Sequence, residues 1–254
     1  MTSSVDPIAL CAMEVTTNGA AADIRINDIP VATVGMPTGH GQGFIPVSSE
    51  IVRGANQLSA RVVSVPDPPM AGAKVEIRIA LMREGDRYFS NAGRDLVRLD
   101  WVAVPGQNML SKDFAADFGP AQWSWSRCAP WPTPAAALDD AMPFVRDLVA
   151  AYFSSEADWF EQASTAQYAD MIVAFPALSE AEQKEQIATA IRSDPPEAVP
   201  PLPQPRPVLC CHNRLLLLQA PEGGAWLRKR GPGARGSGDQ SLLGKVDGRW
   251  QIIR

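Results

Sequence analysis

The 254-residue sequence predicts an α+β protein. An N-terminal antiparallel β-sandwich is expected over residues 1–105 and a tryptophan- and proline-rich connector over 106–136. An α+β domain follows over 137–254, with three helices and then antiparallel strands. Three observations carry this reading. Apolar and polar residues alternate with period two through most of the first hundred residues, as in half-buried strands. From Leu138 the period becomes helical, placing Val145, Leu148, Val149, Tyr152 and Phe153 on one stripe. The chain then returns to alternation and closes through Asp247-Gly248, a two-residue hairpin signal.

In order along the chain, Asn18-Gly19 is a turn signal and residues 22–27 alternate cleanly. Asn27-Asp28 turns the chain into a strand over 29–34. Residues 35–43 read as a glycine-rich loop, 44–47 as a short strand, and Gly54-Ala55-Asn56 as the turn into 58–65. After a proline loop comes the clearest strand, 74–82. It sends Val75, Ile77, Ile79 and Leu81 to one face, and Lys74, Glu76 and Arg78 to the other. A sixth strand, 96–104, sets Leu99 and Trp101 opposite Arg98 and Asp100.

The second half reads as follows. Asp139-Asp140 open the first helix, where carboxylates favour the positive end of the dipole. Ser154-Ser155 with Asp158 signal the start of a second helix, whose stripe is Phe160, Tyr168, Met171, Ile172 and Phe175 and which Pro176 ends. Ser179 and Glu182 form a capping box for a third, which turns Ile187 and Ile191 inward. A proline-rich linker leads to strands over 208–219, 225–230, 242–246 and 249–254, with a loop at 231–238.

Two resemblances follow from these residues. Ile26-Asn27-Asp28-Ile29-Pro30-Val31, then Phe44-Ile45-Pro46-Val47, then Gly54-Ala55-Asn56-Gln57-Leu58-Ser59-Ala60-Arg61-Val62 resemble the galactose-binding-like, jelly-roll modules of bacterial carbohydrate enzymes. Sugar-binding residues of such modules lie in variable loops, so the resemblance implies a fold and transfers no site residue. Phe44 is the only aromatic of this stretch before Tyr88. The closing Asp247-Gly248-Arg249-Trp250-Gln251-Ile252 after a set of helices is similar to NTF2-like α+β cones. That likeness implies a pocket inside the C-terminal domain, lined by Tyr152, Trp159, Tyr168, His212, Arg214 and Trp226.

Composition narrows the function. No apolar run approaches the roughly 20 residues of a membrane helix. The first residues lack the basic and apolar regions of a secretory leader, so a cytoplasmic location and no membrane partner are expected. Residues 106–200 carry 5 Lys and Arg against 14 Asp and Glu, and residues 201–254 carry 9 against 3. The basic segment is read as packing beside the acidic one, with no nucleic-acid partner. Cys11, Cys128, Cys210 and Cys211 form no C-x-x-C, and the adjacent Cys210, Cys211 and His212 of a strand cannot all face one ion. Buried thiols in a reducing compartment, with no metal and no cofactor, are expected.

Candidate chemistry is sparse. His40 lies in Gly39-His40-Gly41-Gln42-Gly43, which is not a phosphate loop. Cys128 beside Arg127 lacks a neighbouring base, and Arg228-Lys229-Arg230 reads as an anion site or an exposed strand end. Trp123, Trp125 and Trp131 are the binding candidates. Their rings form either an adhesive or sugar-stacking surface or interdomain packing. The sequence thus reads as a non-enzymatic binding or interaction protein for an unknown protein, small molecule or carbohydrate. The alternatives are a hydrolase or isomerase-like enzyme using the C-terminal cone, and a carbohydrate-binding module.

Overall fold

Alternation over Leu10–Ile26 builds one long strand, β1, and the N-terminal unit is arranged around it. The structure, a computed structural model, describes residues 10–64, 72–83, 85–103, 108–175, 179–193, 196, 198–228 and 242–253. The chain divides into two compact units, Met1–Gln122 with Val173–Ala177, and Trp123–Ile172 with Leu178–Arg254. The fold class is α+β, with a β-rich first unit and helices plus a small antiparallel sheet in the second.

In the first unit Asn27 and Asp28 both take positive φ, 53° and 65°, as a two-residue hairpin turn of this twist requires. They return the chain as β2 (Ile29–Pro46). The strands β3 (Gly54–Ser64), β4 (Lys74–Met82), β5 (Arg94–Val102) and β6 (Met109–Ala116) complete the sheet. Both edges of β1 are used. Ala12 pairs with Pro46 and with Ala80, and Ala22 pairs with Val34 and with Val62. Hence β2 follows one edge while β4 and β3 share the other, with β5 hydrogen-bonded outside β4 and β6 outside β3. Lys112 Nζ on β6 donates to the Arg98 carbonyl on β5 at 3.0 Å, so the sheet nearly closes. Met13, Val15, Ile24, Leu58, Ile77, Ile79 and Trp101 meet in its core.

Residues 35–43, expected as a loop, are part of β2. The register steps from Asn18 opposite His40 to Ala20 opposite Met36, leaving a bulge on β2. Gly35 (φ +101°) and Gly41 close its base. A Cβ on Gly35 would lie 2.3 Å from the Ala20 carbonyl and 2.4 Å from Thr17 Oγ1, and one on Gly41 2.7 Å from Gly35 Cα. His40 is therefore an exposed strand residue, not a loop residue. β6 lies in the segment expected as a connector.

In the second unit Thr133 caps α1 (Pro134–Ser154), its Oγ1 accepting from the Ala136 N–H at 3.2 Å, with Pro134 in the first turn. Asp139 and Asp140 consequently sit beyond the first turn and do not open the helix. Among the described residues there are four α-helices where three were expected. The stripe Phe160–Phe175 is interrupted at Ser164, giving α2 (Ala157–Ala163) and α3 (Thr165–Ala174). Gln251 Oε1 accepts from the Ala166 N–H at 2.9 Å, satisfying one of the donors that a helix start leaves free. The box before α4 (Glu180–Ser193) forms as expected. Glu182 Oε2 accepts from the Ser179 N–H at 2.8 Å, and Ser179 Oγ from the Glu182 N–H at 3.2 Å.

The expected strand 208–219 is two strands, β7 (Arg206–Cys210) and β8 (Leu215–Gln219). Between them Cys211, His212 and Asn213 all have positive φ, from 54° to 64°. β9 (Leu242–Val246) and β10 (Arg249–Ile252) turn at Asp247-Gly248 as the sequence predicts, and the sheet order is β10-β9-β8-β7. Within the expected strand 225–230 Ala225 makes an isolated bridge to Gln219 and Leu227 lies in a second bridge, while Lys229, Arg230 and residues 231–238 lie outside the described residues. Among the described residues no helix is long and apolar enough to cross a membrane.

Gly35 and Gly54 have nearly the same φ, +101° and +99°, but nothing lies within 4 Å of a Cβ at Gly54. Gly54→Ala is expected to lose about 1–2 kcal/mol from backbone strain alone. Gly35→Ala adds a steric conflict of about 1–3 kcal/mol at the base of the bulge. Urea unfolding of the two variants checks this order.

Candidate ligand-binding site

The period of two that buries Met13, Val15 and Ile77 sends the residues between them to the opposite face of the sheet. There the register lines up two rungs across β2, β1, β4 and β5. One rung is Phe44, Glu14, Arg78 and Arg98, and the next is Gln42, Thr16, Glu76 and Asp100. Arg78 thus faces Arg98 directly, and Glu76 faces Asp100. Like charges so placed repel, and each pair needs compensation.

The arginine pair receives it. Arg78 Nη1 donates to Glu14 Oε2 at 2.9 Å and its Nε to Asp95 Oδ1 at 2.6 Å, while Nη2 donates to the Ala92 carbonyl. Arg98 Nε donates to Asp95 Oδ2 at 2.5 Å, and its Nη2 to Asn91 Oδ1 at 2.8 Å. Burial alone lowers the Arg78 pKa, but its hydrogen bonds to Glu14 and Asp95 and their negative charge outweigh burial and raise it above the usual guanidinium value. Asp95 is held below the ordinary carboxylate range, first by its hydrogen bond from Arg98 and then by Arg78.

Glu14 and Arg78 are buried, at 6% and 5% exposure, although they lie on the outward face. Residues 85–93 cover them. The Phe89 N–H donates to Glu14 Oε1 at 2.7 Å, so one carboxylate holds both the arginine and the loop. Beneath the loop Ala12, Ala80 and Met82 form a small apolar cluster, with Leu10, Phe44 and Ala92 packed on it. The Tyr88 ring rests on Phe44 with centroids 3.7 Å apart. Phe89 itself is 41% exposed and has φ +55°. A bulky residue in this region is a strained one. Its side chain recovers little by burial, so the conformation is held by the contacts of the loop around it: the Phe89 N–H to Glu14, Asn91 to Arg98, and the Ala92 carbonyl to Arg78.

Beside the loop the face opens into a pocket of about 360 Å³. Thr16, Gln42, Glu76 and Asp100 line it from the strands, Glu14, Arg78 and Arg98 from the charged rung, and Phe89 and Asn91 from the loop. The floor is fixed by hydrogen bonds, and the adjoining rung offers a hydroxyl, an amide and two carboxylates. This arrangement can fix a small polar ligand by orientation. Among the described residues no thiol or imidazole lines it. None of the pocket residues was singled out as a candidate from sequence, because the alternation of β4 predicts Arg78 in solvent and nothing local shows that a loop covers it.

The residues chosen from sequence lie in the second unit. Trp123 is buried at 2% exposure, and the adjoining Ser124 Oγ donates to Asp170 Oδ1 at 2.6 Å. Trp125 is half-buried. Trp131 stacks on Trp250, centroids 5.6 Å apart, with Lys245 Nζ 5.6 Å from its ring centre. Asp140 Oδ2 accepts from both Trp250 Nε1 and Lys245 Nζ, each at 2.7 Å.

Of the residues proposed to line a cone, Tyr152, Trp159 and Trp226 belong to one apolar core with Leu148, Phe160 and Leu218. Trp226 Nε1 donates to the Pro203 carbonyl at 2.9 Å. Tyr168 is buried under Lys184, and Arg214 Nη1 donates to the Cys128 carbonyl. His212 is exposed on its turn while Cys210 and Cys211 are buried, so the three do not converge. Cys128 is fully buried, and burial pushes its thiol up to about 11, the reverse of what a nucleophile needs. Arg228 Nε is committed to the Ala225 carbonyl at 3.0 Å.

No protein-family model matches the chain, and neither a curated protein nor a solved structure matches it at a significant level.

Removing one member of a buried ion pair leaves the other charge uncompensated. Glu14→Gln is expected to destabilise the first unit by about 3 kcal/mol, measured by chemical unfolding. The double variant Glu14→Leu/Arg78→Leu should recover most of that stability yet leave residues 85–93 unanchored, which proteolysis within the loop reads directly.

Proposed function

We propose that the protein is a non-enzymatic small-ligand-binding protein whose site is the polar pocket on the outer face of the β2-β1-β4-β5 sheet. The observation that carries this is the pocket floor. A buried Glu14–Arg78 ion pair, extended at the surface by Asp95 and Arg98 and tied to a strained loop through the Phe89 N–H, the Ala92 carbonyl and Asn91, is costly to build and fixes the lining in place. Strain of this kind concentrates at ligand clamps. The groups beside it are hydrogen-bonding side chains, which suit recognition. The four cysteines are buried and form no disulfide, which suits a reducing compartment such as the cytoplasm.

A second reading, a carbohydrate-binding module of the galactose-binding-like kind, draws support from the lip. Phe89, 41% exposed, lines the pocket beside amide, hydroxyl and carboxylate groups, the pairing of ring and polar group that sugars use.

Gln42 is exposed on β2 and lines the pocket, so a large ring at this position fills the cavity without disturbing the core. A thermal-shift screen of small polar molecules should find ligands that raise the Tm of the wild type and not that of Gln42→Trp. Ligands that stabilise both equally would place binding elsewhere.

A further inference from the structure

The pocket also carries information about the charge of its ligand. This inference rests on the pocket being the binding site, as proposed above. Within the charged rung the two guanidinium groups are matched by two carboxylates, Arg78 by Glu14 and Asp95, and Arg98 by Asp95. That rung is neutral as a set. The next rung is not. Glu76 Oε2 has Lys74 Nζ at 3.0 Å, whereas the Asp100 carboxylate makes no ion pair or hydrogen bond among the described residues.

One unmatched negative charge therefore lines the cavity, directly across the strand pair from another carboxylate. Thr16, Gln42 and Asn91 line the same cavity with neutral donors and acceptors, and Phe89 adds an exposed aromatic ring. An anion entering here would add to a repulsion the sheet already carries. A neutral polyol would leave it unrelieved. A single ammonium relieves it and gains a charge-assisted hydrogen bond. Aromatic side chains beside carboxylates favour such cations further. A divalent metal ion has too few ligands, since no group of three or more His, Cys, Asp or Glu side chains is arranged to hold one among the described residues.

We propose that the pocket binds a small hydroxylated organic monocation, an aminated polyol, whose ammonium is held by Asp100 while its hydroxyls meet Thr16, Gln42 and Asn91. The size of the cavity suits one ring or a short chain.

The test uses glucosamine and glucose as a matched pair, alike in shape and differing in the charged amine. Titration of the full chain followed by calorimetry, at a pH where the amine is protonated, should show glucosamine bound about ten-fold or more tightly than glucose, the difference one charged hydrogen bond makes. Asp100→Asn should bring glucosamine down to the affinity of glucose, and added salt should weaken glucosamine selectively. Equal affinity for the two sugars, binding of neither, or an Asp100→Asn variant that keeps the preference would overturn the proposal. Neutral ligands that Gln42→Trp excludes would overturn the charge assignment and leave the binding site standing. Ligands indifferent to Gln42→Trp would remove the site itself.

Discussion

The N-terminal unit turns on one buried ion pair, Glu14 with Arg78. Two charges taken from water are stable only where every remaining donor and acceptor finds a partner. Here the guanidinium reaches Glu14, Asp95 and the Ala92 carbonyl, and the carboxylate reaches Arg78 and the Phe89 N–H. An apolar pair at these positions would hold the strands as well, for such replacements are often neutral or stabilising. It would not hold the loop. The ion pair converts a two-stranded contact into a three-part joint of β1, β4 and residues 85–93. The edge of that joint is the pocket wall.

The joint also explains why β1 is long. A strand with one partner per edge would suffice for a small sandwich, but β1 gives its first half to β4 and its second half to β3 while β2 follows it throughout. The outer face of the first half is thereby four strands wide, β2-β1-β4-β5, which is what sets Gln42 and Asp100 at opposite sides of one cavity. The bulge on β2 lies where β1 changes partner, between Asn18 and Ala20. Bulges bend strands, and this is where the sheet has to curl.

Much of this architecture was legible in the sequence. Strict alternation marked β4 and β5, and the turns at Asn27-Asp28 and Asp247-Gly248 fell where left-handed backbone is needed. What escaped did so for physical reasons. β6 buries only Phe114 and Ala116 out of eight residues, too little contrast for a period to show. The β7–β8 turn uses Cys211, His212 and Asn213 with no glycine or proline, at a cost of about 1–2 kcal/mol per residue in left-handed backbone. Long-range contacts tie this turn down, since the Asn213 carbonyl accepts from the Trp131 N–H at 2.8 Å. In the second unit Trp131 and Trp250 form a stacked pair that Asp140 and Lys245 hold in register against α1. The pocket was invisible because its key residue, Arg78, looks like any solvent-facing position of a strand until the loop is placed over it.

The Phe89 amide is the most direct reporter of this joint. If Glu14 anchors the loop, the Phe89 N–H is a part-buried donor in a charge-assisted bond, and its hydrogen exchange should be slower than that of an open loop. It should also speed up together with that of the β4 amides when the unit unfolds. An amide at Phe89 that exchanges as freely as an unprotected peptide, while β4 remains protected, would show that the loop is not held and that the pocket has no fixed wall.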